Sequence, residues 1–198
     1  MKAVFDFNIK SPNGKAPTVV PASAVYSCKE VVASKWEASP RAVAAAGTYK
    51  PLTDLDYAII RLDRKVSGRK PLPIDRAGGL ENGAPLMVIG HPVGLPAKIA
   101  DNAEVVNIRK EDPYFEATLD TYGGNSGSGV FSARTGLLVG ILARGREDFV
   151  KTPAGCYASN VLPQKPSDGA EGVTKISLIA DLIPEPAAAK PAEAARNR

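Results

Sequence analysis

Apolar and polar positions along this chain alternate in short bursts, and only near the end do they recur every three or four residues. Ala3, Val4, Phe5, Asp6, Phe7, Asn8 and Ile9 follow a period of two, which predicts a strand over 3–9. Ser11-Pro12-Asn13-Gly14 then supplies turn residues. Apolar runs bounded by Gly, Pro, Asn and Asp predict further strands over 24–32, 56–63, 85–90, 103–109, 114–120, 129–132 and 137–143. Helical spacing joins Ile176, Ile179, Ala180 and Ile183, predicting a helix over 173–183 that Pro184 stops. The stretch 184–198 is alanine, proline and charge, a composition that predicts a disordered tail. The whole reads as an all-β chain with one short closing helix.

Composition narrows the picture. A length of 198 residues suits one compact unit with enough apolar residues for a core. The net charge is +4, and basic residues gather at Arg61, Arg64, Lys65, Arg69, Lys70 and Arg76. Neither interleaved aromatics nor a nucleic-acid fold pattern accompanies them, so they read as a solvated strand end and loop. No run is apolar and long enough to span a membrane. Cys28 and Cys156 are the only cysteines and lie outside any metal-ligand spacing. A bond between them and separate fates both remain open, and no metal or cofactor is expected.

Candidate chemistry concentrates in Asp120-Thr121-Tyr122-Gly123-Gly124-Asn125-Ser126-Gly127-Ser128-Gly129. A serine hydroxyl becomes a nucleophile only when a base takes its proton. Backbone N–H groups aimed at the developing oxyanion then lower the barrier, and glycines allow the backbone to approach that closely. Some 70 residues upstream, Asp56 opens the apolar run Asp56-Tyr57-Ala58-Ile59-Ile60-Arg61-Leu62. A carboxylate at such a strand start can hold an imidazole in the correct tautomer. Asp54 is the near alternative, and Asp63 lies beyond the run. A third segment, Val88-Ile89-Gly90-His91-Pro92-Val93-Gly94-Leu95-Pro96, has the punctuation of a strand and turn.

Together these three segments resemble the trypsin-like serine peptidases, in particular the bacterial branch near the glutamyl endopeptidases. The resemblance implies two six-stranded antiparallel barrels. The first, incomplete, would occupy 1–73 and the second 83–183, joined by a link over 74–82. It implies Ser126 as nucleophile, Asp56 as orienting acid, and the N–H groups of Gly124 and Ser126 as oxyanion donors. Asp120, Thr121 and Leu142 would line the substrate pocket, with Asp120 favouring a basic side chain. Leu142 stands where glutamyl endopeptidases need a histidine, so a glutamate preference is not expected. Asn125 replaces the aspartate used by animal trypsins, and Gly129 a proline common in this branch. The implied partners are peptide or protein substrates, met by a monomer in a secreted or periplasmic setting.

One residue does not fit. His91 is the only histidine, and it falls between Asp56 and Ser126 rather than before both. It reads as a structural loop residue. Asp6 and Asn8 break any apolar core of a secretory signal. The expectation is therefore a chain truncated at its N-terminus, lacking histidine and export signal, and nearly inert. The competing expectation is a non-catalytic homologue that binds a peptide or protein partner.

Overall fold

The computed structural model describes residues 1–36, 55–161 and 171–186. The chain is mostly β. Its centre is a closed antiparallel barrel of six strands in the order β11-β6-β5-β4-β7-β8. These are β4 (Pro85–Gly90), β5 (Lys98–Ile108), β6 (Tyr114–Ala117), β7 (Gly129–Ser132), β8 (Leu138–Arg144) and β11 (Glu171–Lys175). Closure comes from β11, which pairs with β6 on one side and β8 on the other. Alternate residues point inward, so Leu86 and Val88 of β4 meet Val105, Phe115, Val130 and Val173 in the core. Gly140 lets β8 and β11 approach: a Cβ there would lie 2.4 Å from Val173 Cγ1 and 2.7 Å from the Thr174 carbonyl.

Upstream, β1 (Lys2–Val4), β2 (Val25–Trp36) and β3 (Asp56–Leu62) form a three-stranded antiparallel sheet in chain order. Trp36 is paired with Asp56 in the β2–β3 register. The predicted strand over 3–9 is shorter than expected, because Asp6 adopts φ 64° and turns the chain away. The following turn forms as expected, with Gly14 N–H donating to the Ser11 carbonyl at 2.9 Å. An isolated ribbon, β9 (Phe149–Lys151) with β10 (Tyr157–Ser159), leaves the barrel between β8 and β11.

Three other elements depart from the sequence reading. Residues 173–175 are not helical. They complete β11, and Ile176–Leu182 follows as a 3-10 helix. Its buried residues are Ile176, Ile179 and Ala180, the apolar positions that carried the helical spacing. Strand β6 stops at Ala117 rather than 120, and β5 begins at Lys98 rather than 103. Most of the tail predicted over 184–198 lies outside the described residues. Among the described residues, no helix is long and apolar enough to cross a membrane.

The clustered arginines tie segments together. Arg64 donates to the Val25 carbonyl at 2.7 Å and stacks over the Tyr26 ring at 3.9 Å. Arg69 pairs with Asp6 and lies over the Phe5 ring. Arg61 pairs with Glu30. Arg76 donates to the carbonyls of Ala180 and Ile183, capping the end of the 3-10 helix. The segment 73–75 is stapled as well: Ile74 bridges to Leu138, flanked by two backbone hydrogen bonds to that residue. Cys28 and Cys156 are both free thiols, so the possible disulfide between them is not formed.

Candidate active site

The serine loop spans the gap between β6 and β7 and is held from three directions. Two tight turns shape it, with Asn125 N–H donating to the Tyr122 carbonyl and Ser128 N–H to the Asn125 carbonyl. Gly127 N–H donates to the Leu142 carbonyl at 2.7 Å, and Leu142 N–H returns a bond to Ser128 at 3.0 Å, fixing the loop to β8. Val93 N–H donates to the Gly123 carbonyl at 2.8 Å, fixing it to the loop after β4. Gly124 (φ 95°) and Gly127 (φ 90°) occupy the left-handed region, which explains the glycines on either side of Ser126. A Cβ on Gly124 would also press on Val93 N at 3.0 Å.

This bonding leaves a pattern. The N–H groups of residues 123, 125, 127 and 128 all have acceptors. Those of Gly124 and Ser126 have none among the described residues. Two unpaired donors therefore flank the exposed Ser126, in a loop whose other donors are committed.

Ser126 stands between two cavities. The larger, about 480 Å³, is lined by Ser126, Asp56, Lys35, Trp36, Tyr57 and Leu142, among others. The structure thus brings Asp56 and Ser126 to one cleft, with the three-stranded sheet forming one wall and the barrel the other. Asp56 is half-buried, and its carbonyl accepts a hydrogen bond from the fully buried Thr174 hydroxyl at 2.9 Å. That bond ties the start of β3 to β11. Asp54 lies outside the described residues.

The smaller cavity, about 80 Å³, lies on the other side of Ser126 and is lined by Thr121, Leu142, Arg144, Arg146, Asp148 and Glu171, among others. Thr121 and Leu142 both line it. Asp120 is exposed and is not among the residues lining either cavity. It stands beyond the end of β6, next to Leu119, which is in the core at 6% exposure. The acids present are Glu171 and Asp148, which the sequence reading missed. Glu171 was hidden because the segment after it read as a helix start. Burial is the largest influence on the Glu171 carboxyl and raises its pKa above the ordinary carboxylate range. Hydrogen bonds from the Thr121 side chain and the Arg146 backbone oppose that rise, and the Asp148 charge adds to it.

His91 takes no part in either cavity. Its ring stacks on Phe7 at 5.8 Å, and Nδ1 lies 3.0 Å from the Leu95 carbonyl. Only its backbone touches the site, with its carbonyl 3.3 Å from where a Gly124 Cβ would stand. Among the described residues, no cluster of three or more His, Cys, Asp or Glu could hold a metal ion.

The trypsin-like peptidase domain model matches residues 14–141, well over half of the chain. The chain belongs to this family. No curated protein matches it. Solved structures similar to it include the Rv3671c protease of M. tuberculosis in an active form, at 19% identity and a TM-score of 0.46. An inactive form of a mutant of the same protein is similar at 17% identity and a TM-score of 0.42. The match covers 73% and 68% of this chain, and 58% and 60% of those two chains.

Proposed function

We propose that this chain carries the nucleophile and orienting acid of a serine endopeptidase, which cleaves peptide bonds through an acyl-enzyme at Ser126. The observation that carries the reading is one cleft holding both Ser126 and Asp56, beside two unpaired N–H groups at Gly124 and Ser126. Ser126 attacks the carbonyl carbon, the two N–H groups receive the oxyanion, and Asp56 steadies an imidazolium between them. That imidazole is not His91, whose ring is engaged at Phe7 and Leu95. No histidine stands among the described residues that line the cleft, and the setting we assign is secreted or periplasmic. Without the base, turnover falls on the order of 10⁶-fold, or roughly 8 kcal/mol of transition-state stabilisation. The glutamyl endopeptidase branch is the nearest resemblance, but Leu142 on the pocket wall offers no donor to a glutamate.

Chemical rescue tests the reading. The chain is incubated with an activated peptide ester, with and without added imidazole, beside a Ser126→Ala variant. Hydrolysis that imidazole raises in the wild type and not in Ser126→Ala supports the peptidase. Equal rates in both proteins would refute it. The engagement of His91 away from the cleft favours a second reading, a non-catalytic homologue that binds peptides. Peptide binding with no Ser126-dependent rescue would select it.

A further inference from the structure

Gly123 and Gly124 are adjacent glycines, a pair with a wide choice of backbone conformation, and one of the two oxyanion donors belongs to the peptide that joins them. That peptide is trans, so its Gly123 carbonyl and its Gly124 N–H point in opposite directions. Whatever holds Gly123 therefore aims the donor. Gly123 is held twice. Its carbonyl accepts the Val93 N–H at 2.8 Å. Its own N–H donates to Asp148 Oδ2 at 2.5 Å.

Each contact is braced in turn. Val93 has φ 46° and ψ 30°, a left-handed conformation that a β-branched residue rarely adopts and that persists only where its surroundings impose it. The turn around it does so: Gly94 N–H donates to the His91 carbonyl at 3.2 Å, and Leu95 N–H to the Pro92 carbonyl at 2.9 Å. Asp148 immediately precedes β9, and Asn160, just past β10, fixes its backbone. The Asn160 N–H donates to the Asp148 carbonyl at 2.7 Å, and Nδ2 to the Glu147 carbonyl at 2.8 Å. The neighbouring Phe149 ring lies 5.5 Å from the Tyr122 ring, so the base of the ribbon rests on the serine loop. A Cβ at 123 would stand 3.3 Å from Asp148 Oδ2, a tight contact that the glycine avoids.

We propose that Asp148 is a positioning residue: from the base of the β9–β10 ribbon it holds Gly123 against the Val93 N–H and so turns the Gly124 N–H toward the oxyanion that forms at Ser126. The proposal rests on the peptidase reading above and adds a residue to that same site. An aimed donor acts when the oxyanion develops, in the transition state, and adds little to ground-state binding. The role needs an acceptor at 148 rather than a negative charge. Asp148 also stands close enough to Glu171 for its charge to raise the pKa of that carboxyl, so a test must separate the hydrogen bond from the charge.

The test compares Asp148→Ala and Asp148→Asn with the wild-type chain in hydrolysis of an activated peptide ester at one fixed imidazole concentration. Asp148→Ala should lower kcat about tenfold or more, part of the loss that follows removal of an oxyanion donor, with KM within about twofold of wild type. Asp148→Asn, whose amide oxygen still accepts the Gly123 N–H, should keep at least about a third of kcat. Amide hydrogen exchange reads the contact without the reaction: the Gly123 N–H should exchange about tenfold or more slowly in wild type and Asp148→Asn than in Asp148→Ala. Thermal melting shows that each variant is folded at the assay temperature. A kcat for Asp148→Ala within about twofold of wild type, a rise in KM alone, an Asn variant as damaged as the Ala one, or a Gly123 amide that exchanges equally in all three would each overturn the proposal. Imidazole rescue in the wild type with an unimpaired Asp148→Ala would keep the peptidase reading and remove this one, whereas no rescue in the wild type would remove both.

Discussion

Replacing Gly90 by alanine tests how strand β4 sets the position of Ser126. Gly90 ends β4, and a Cβ there would stand 2.1 Å from Ser128 Oγ, 2.4 Å from Asn125 Oδ1 and 2.8 Å from Ser128 Cβ. Ordinary contact needs about 3.5 Å. The Ser128 hydroxyl can rotate away, at the expense of its 3.5 Å contact with Asn125. Asn125 has less freedom. It is 5% exposed, and both its N–H and its carbonyl are bonded within the loop. The loop as a whole must therefore shift by on the order of 1 Å, a displacement that can lower a reaction rate about 10²-fold when it moves a reacting group. Overpacking of this kind destabilises by about 1–3 kcal/mol. For a chain of this length each kcal/mol lowers Tm by about 2–4 °C, giving a loss of about 2–12 °C. Differential scanning fluorimetry reads the loss, and amide hydrogen exchange at Asn125 and Ser128 reads the loosened loop. Adding Ser128→Ala removes the nearest contact and should restore part of the Tm, with the Asn125 Oδ1 and residue-128 Cβ clashes retaining the rest. A Gly90→Ala protein that melts within about 1 °C of wild type, with unchanged exchange at both amides, would refute the reasoning.

Other predictions follow from single contacts. Gly140→Ala should destabilise by at least about 1–3 kcal/mol, read by urea denaturation, because its Cβ would meet the Thr174 backbone as well as Val173. Lys175→Met should cost about 1–3 kcal/mol in the same assay, because the ammonium donates to the carbonyls of Arg109 and Asp112 and the variant removes both charge-assisted bonds. The Glu171 carboxyl has its pKa raised in the folded chain, so its favourable contribution is complete below the ordinary value of 4.5 and is lost as pH rises through the folded pKa. Glu171→Gln should accordingly melt higher than wild type at neutral pH, with the gain shrinking on acidification toward pH 4.5; a gain that stays constant from acid to neutral would count against burial as the cause. Both cysteines should alkylate without prior reduction, exposed Cys156 before half-buried Cys28, and mass spectrometry showing one uncleaved disulfide would contradict the fold around them.

Much of the barrel was legible in the sequence, because strands buried on one face advertise themselves by alternation. Strands β4 and β7 have the predicted bounds, and β3 and β8 differ only at their ends. Strand β11 was not legible. Its one apolar side chain, Val173, stands between Gly172 and Thr174, and its last residues run directly into Ile176, whose spacing dominates any window across the junction. Thr174 is fully buried, although a threonine there carries no sequence mark of burial. The ribbon of β9 and β10 was missed for a different reason: all six residues are exposed, so no apolar face marks it. At the site, Asp56 and Ser126 line one cleft. The second acid was placed by counting back from Ser126 to Asp120, whereas the carboxylates that line the small cavity beside Ser126, Asp148 and Glu171, come from later in the chain.

Strand β11 carries more than a place in the barrel wall. Glu171 at one end faces the small cavity, and three residues later the Thr174 hydroxyl holds the carbonyl of Asp56 across the cleft. One five-residue element thus sets both the charge on the small cavity's wall and the anchorage of Asp56. Variation within it is not modular. A change at 171 that alters the strand's path travels to 174, so exchanging β11 as a cassette would alter the cavity and the hold on Asp56 together. Freer ground for variation lies at Arg146, which borders the same cavity and makes no hydrogen bond to Asp56 among those described.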